Sequence, residues 1–127
     1  MKTKYIDVDG YWGIVLIYDF DDFDEYELYA IMDSFGLSTR RINKALQILS
    51  NKNSGMTISR EDIRMSAIFI SHTTSTSEWW NTLNHELYHC CVAIIDYYGE
   101  PYDEEPAAYL QGHLMRQAIE EIGEPCI

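Results

Sequence analysis

The run His85-Glu86-Leu87-Tyr88-His89 puts two imidazoles and a carboxylate on little more than one turn of a predicted helix. Histidines at i and i+4 lie about 40° apart around a helix, one turn above the other, so both can reach one metal ion. The glutamate that follows the first histidine is about 100° further round. From there Glu86 stands beside such an ion, where it can hydrogen-bond a water held by the metal and accept its proton. The chemistry that suits this spacing is metal-assisted hydrolysis.

A helix must hold these groups, and the flanking residues predict one from Ser75 or Ser77 to about Tyr98, stopped by Gly99 and Pro101. Trp80, Leu83, Leu87, Cys91, Ile94 and Tyr98 recur every three or four residues as an apolar stripe. Both histidines lie about 200° from Leu87, off that stripe. Val92 and Ala93 share their side and Trp79 is near, so the helix reads as apolar on nearly every face. Such a helix is expected to be buried. Buried imidazoles need partners, which a metal provides; the alternative reading of the motif is two solvent-facing histidines on an amphipathic helix.

A chain reversal at Gly99 is expected to bring a last helix, about Asp103 to Ile122, back across the histidine face, with Pro106 tolerated in its first turn. Glu105, Ala108, Tyr109 and Gly112 fall on one side of that helix. Small residues at 108 and 112 would allow close approach, which makes Glu105 the expected third ligand. Glu104 competes closely for that role, Asp103 less so, and an acid in a first turn can simply answer the helix dipole. Two histidines and one glutamate leave a fourth position for water, the arrangement of a catalytic zinc site. Tyr109, one turn after Glu105, is the candidate to stabilise an oxyanion or to hydrogen-bond a ligand histidine; a packed core tyrosine is the alternative.

His85-Glu86-Leu87-Tyr88-His89 followed by Glu105-Pro106-Ala107-Ala108-Tyr109 resembles the gluzincin zinc metallopeptidases. These pair HExxH with a glutamate on the next helix. The Glu105-x-x-Ala108 arrangement also resembles the metallopeptidase domains of the ImmA/IrrE group. The resemblance spans about Met65 to Gly123. It implies one zinc per chain held by His85, His89 and Glu105, with Glu86 as general base acting on a peptide or protein substrate. It also implies that the strand before the active-site helix is a sheet edge that binds an extended substrate, a role for Met65 to Ser71. The alternative is a catalytically silent zincin-like domain that binds metal or a protein partner.

The remaining elements complete an α+β expectation: a small zincin-like domain with a short mixed sheet packed against the HExxH helix and a C-terminal helix. Gly13 to Tyr18 is β-branched and reads as a strand. Asp22 to Phe35 reads as a helix with an acidic first turn, spaced by Phe23, Leu28 or Tyr29, Met32 and Phe35. Ser38 can cap a second helix with Ile42, Ala45, Leu46 and Leu49 on one face, ending in a turn at Asn51 to Gly55. Asp7-Val8-Asp9-Gly10 is a turn signal.

Other residues read more blandly. Cys90 and Cys91 lack a paired base and suit burial. The acidic group Asp19, Asp21, Asp22, Asp24 and Glu25 fails the EF-hand pattern and suits a solvated helix start. His72 fits the surface, Tyr88 lies off the histidine face, and His113 is a distant candidate for the site.

The 127 residues suit a single domain, 1–127, able to bury a core. A net charge of −12, from 21 acidic against 9 basic residues, argues against nucleic acid and anionic membrane surfaces as partners. No run approaches the ~18 apolar residues of a transmembrane helix. The N-terminal Met1-Lys2-Thr3-Lys4, followed by Asp7 and Asp9, lacks an apolar signal region, and three cysteines without CxxC spacing suit a reducing compartment. A cytoplasmic location is the expectation.

Overall fold

The computed structural model describes residues 1–20, 24–99 and 104–127. Among these the elements run β1 (Lys2–Val8), β2 (Trp12–Tyr18), α1 (Glu25–Ser34), α2 (Thr39–Leu49), β3 (Gly55–Arg60), β4 (Met65–Ile70), α3 (Thr76–Tyr98) and α4 (Glu104–Ile122). The strands form one mixed sheet in the order β1-β2-β4-β3. β1 pairs antiparallel with β2, β2 parallel with β4, and β3 antiparallel with β4. The chain is therefore α+β, as its composition of elements predicted. No described helix is long and apolar enough to cross a membrane.

The inner strands are apolar on both faces because both faces are covered. Ile14 and Leu16 of β2 and Ile68 and Ile70 of β4 pack with Trp79, Leu83 and Leu87 of α3 and Leu114 and Ala118 of α4. The alternate residues Ile17, Ala67 and Phe69 pack with Leu28 and Met32 of α1 and Ile42, Leu46 and Leu49 of α2. This is the period-two alternation of a strand between two layers. A buried polar chain crosses the sheet on the α3 side. Trp12 Nε1–H donates to Ser66 Oγ at 2.9 Å, and Ser66 and Ser59 share a hydrogen bond at 2.7 Å.

The helix starts follow their caps. Ser38 Oγ accepts from Arg41 N at 3.3 Å, and Ser75 Oγ accepts from Glu78 N at 3.1 Å. α3 closes at Gly99, whose φ of 68° is the left-handed conformation that glycine adopts without strain. The expected helix over Asp22 to Phe35 is seen from Glu25; Asp22 and Phe23 lie outside the described residues, as do Asp21, Pro101 and Asp103.

Two strands were not foreseen, and one was misplaced. β1 and β3 add to the sheet, and β4 is not its edge: it is hydrogen-bonded to β2 on one side and β3 on the other. The cause is a hairpin. After the turn at Asn51 to Gly55 the chain runs out along β3, reverses through a 3₁₀ turn at Glu61–Ile63 with Arg64 at φ 52°, and returns as β4. β3 takes the edge, and α3 packs over it.

Candidate metal centre

Leu83, Leu87, Cys90 and Ile94 face the sheet and anchor α3. α4 docks on an adjacent side of α3, where Cys91 S–H donates to the Ala107 carbonyl at 3.7 Å. Gln111 Nε2 donates to the Asn84 carbonyl at 3.2 Å and to Asn84 Oδ1 at 2.8 Å. The remaining side of α3 carries His85 and His89, and nothing covers it among the described residues. The His85 side chain is 67% exposed, and His89 is exposed as well. This corrects the expectation of buried imidazoles: sheet and α4 take up the apolar residues of α3, and both histidine side chains are exposed.

The two rings are 5.1 Å apart, centre to centre, at 73°. Nitrogens of both and an oxygen of Glu86 lie within 4.8 Å of one another, a group that could hold a metal ion. Glu86 differs from its neighbours in burial, its side chain being 6% exposed. Oε1 accepts from Thr57 Oγ1 at 2.9 Å, while Oε2 lies 3.8 Å from His85 Nε2. Gly55 makes room for this. A Cβ there would stand 2.8 Å from Glu86 Cγ and 3.0 Å from Thr82 Cγ2, so only glycine lets β3 approach so closely.

An open groove of about 480 Å³ runs past these groups. Gly55, Thr57 and Ser59 of β3 form one wall, and His85, Glu86 and His89 of α3 the other; Glu61 and Asp96 also line it. Within α3, burial pushes the Cys90 thiol up to about 12 and raises that of Cys91. Both cysteines are buried, as their sequence context suggested.

Glu105 and Tyr109 do not join the histidines. They line a different groove, of about 820 Å³, with Asp9, His113 and Arg116 on the outer side of α4. Tyr109 is 78% exposed, and a Cβ on Gly112 would meet nothing within 4 Å. The reason is helical phase. Residues of α4 that pack on the rest of the protein, Ala107, Leu110, Gln111, Leu114, Gln117 and Ala118, lie at about 120–240° from Glu105. Ala108, Tyr109 and Gly112 lie within about 60° of it and face outward. His113 is engaged elsewhere, its Nε2 3.0 Å from Asp9 Oδ2 and its Nδ1 2.9 Å from Arg116 Nη2. His72 is exposed and stacks edgewise near Phe20.

Thr57 and Gly55 are the site residues that sequence reasoning missed. Neither type signals a site alone, and β3, with Ile58 its one buried residue, gives a weak strand pattern. No protein-family model, curated protein or solved structure matches the chain.

Proposed function

We propose that this chain is a zinc-dependent peptide hydrolase with a gluzincin-like, zincin-type site. The observation that carries the reading is the convergence of His85, His89 and Glu86 on one side of α3, beside β3, the edge strand of the sheet. The donor set fits a divalent transition ion: two exposed imidazoles one helical turn apart, with a carboxylate between them and the strand. His85 and His89 would hold the ion, which supplies Lewis acidity, polarising a carbonyl and making water a stronger acid. Glu86 does the proton work. Its Oε2 faces the imidazoles, accepts a proton from water, and returns it to the leaving amine. β3, not β4, is the edge along which an extended peptide adds as a further strand, with its backbone paired and its side chains alternating toward the groove.

A third protein ligand would complete this reading, and with Glu105 facing outward, Glu104, its close competitor in the sequence, is the carboxylate to test. Glu104→Gln is therefore expected to weaken zinc binding at least about 10-fold, and Glu105→Gln to leave it nearly unchanged. Competition with a chromophoric chelator measures both. A loss at 105 with none at 104 would return the role to Glu105.

The direct test of function is hydrolysis of an unfolded protein such as casein by the zinc-loaded chain. The expected result is activity abolished by a chelator and restored by zinc. Activity that survives chelation contradicts the reading. One observation favours a second reading, a metal-binding domain without hydrolysis: among the described residues no carboxylate or thiolate besides that of Glu86 joins the histidine pair. Its signature is bound zinc with no hydrolysis.

A further inference from the structure

We propose that Thr57 is the positioning residue of the site: its hydroxyl ties back one oxygen of Glu86 so that only the other is presented to the histidine pair. The inference rests on the role of Glu86 argued above. The Thr57 hydroxyl has one proton and two acceptors nearby, the Glu86 carbonyl at 3.1 Å and Oε1 at 2.9 Å. The carbonyl already accepts the helical N–H four residues on, and a carboxylate is the stronger acceptor. The proton therefore goes to Oε1.

The rest of the surroundings make this bond decisive. Glu86 is nearly enclosed, and Gly55 lies so close that no methyl group fits between its backbone and Glu86 Cγ. The carboxylate stem is thus fixed, and the terminal torsion is the freedom left to it. That torsion is soft and broad for glutamate. The Thr57 hydroxyl sets it, leaving Oε2 aimed at His85 Nε2, 3.8 Å away. A carboxylate free to turn would swing onto an ion held by the imidazoles and become a ligand, which removes it as a base. Thr57 thus keeps Glu86 beside the metal position and out of it.

The design of β3 agrees. Gly55, Thr57 and Ser59 alternate toward α3, while Ile58 turns to the opposite core. Of the three, Ser59 bonds Ser66, and Thr57 alone bonds the carboxylate.

The test uses cobalt(II) as the probe in the whole chain, because its visible spectrum reports ligand number and geometry. Valine at 57 keeps the β-branched shape that suits a strand and removes only the hydroxyl. Thr57→Val is expected to shift the cobalt spectrum toward an added carboxylate ligand and to lower casein hydrolysis by roughly 10- to 100-fold. Thr57→Ser keeps the hydroxyl and should restore both. In Thr57→Val/Glu86→Gln the spectral shift should vanish, since the freed carboxylate is gone. Two results overturn the positioning role alone: a Thr57→Val spectrum superimposable on wild type, or a Thr57→Ser protein that behaves like Thr57→Val. Wild-type protein that takes up no cobalt would instead overturn the metal-site reading, and the positioning role with it.

Discussion

Replacing Glu86 by glutamine is expected to cut hydrolysis by roughly 10²- to 10⁴-fold, the usual contribution of a general base, while zinc binding and fold persist. Glutamine has nearly the same shape, so the packing against Gly55 is kept. Its amide oxygen can still accept from Thr57 Oγ1, which now lies 2.9 Å from Oε1. What is lost is the ability to take a proton. Steady-state hydrolysis with matched zinc content measures the effect. A Glu86→Gln protein as active as wild type would show that another group moves the proton. A variant that loses zinc would show that Glu86 is a ligand.

The largest expected effect on stability is at Trp12. Its side chain is 2% exposed, meets the edge of Tyr97 at 5.7 Å between centres, and donates to Ser66 at 2.9 Å. Trp12→Ala removes the ring from the α3 side of the sheet and takes one partner from the wholly buried Ser66. Large-to-small changes of this kind cost about 3–5 kcal/mol. Against a typical total of about 5–15 kcal/mol, that is a substantial part of the fold's stability. Urea unfolding, extrapolated to water, measures it. A cost below about 1 kcal/mol would mean that the surrounding residues collapse to fill the space.

The HExxH helix was legible because its signals are local. The Ser75 cap, the HExxH spacing and the Gly99 stop all lie within one element, and α3 follows them from Thr76 to Tyr98. α2 was legible for the same reason, with Ser38 as its cap and Ile42, Ala45, Leu46 and Leu49 on one buried face. β1 and β3 escaped because an edge strand needs little apolar sequence. β1 buries Ile6 and Val8, and β3 buries Ile58. Losing β3 then made β4 look like the edge.

The phase of α4 failed for a different reason. Small residues occur on both its sides, Ala107 and Ala118 on one and Ala108 and Gly112 on the other. The wholly buried Leu114 and Ala118 mark the inward side, and only this larger apolar stripe discriminates. Burial of the histidines was misjudged because the apolar content of α3 serves two contacts, one to the sheet and one to α4. A helix can carry apolar residues on most sides and still leave one narrow face open.

The central claim is that His85 and His89 hold a metal ion. The most direct measurement is the zinc content of wild type and of His85→Ala/His89→Ala, each equilibrated with zinc and then dialysed. Both histidines are exposed, so alanine there should leave the fold intact, which circular dichroism checks. The account predicts one zinc per chain in wild type and none retained in the folded double variant. Equal zinc in the two proteins would contradict it.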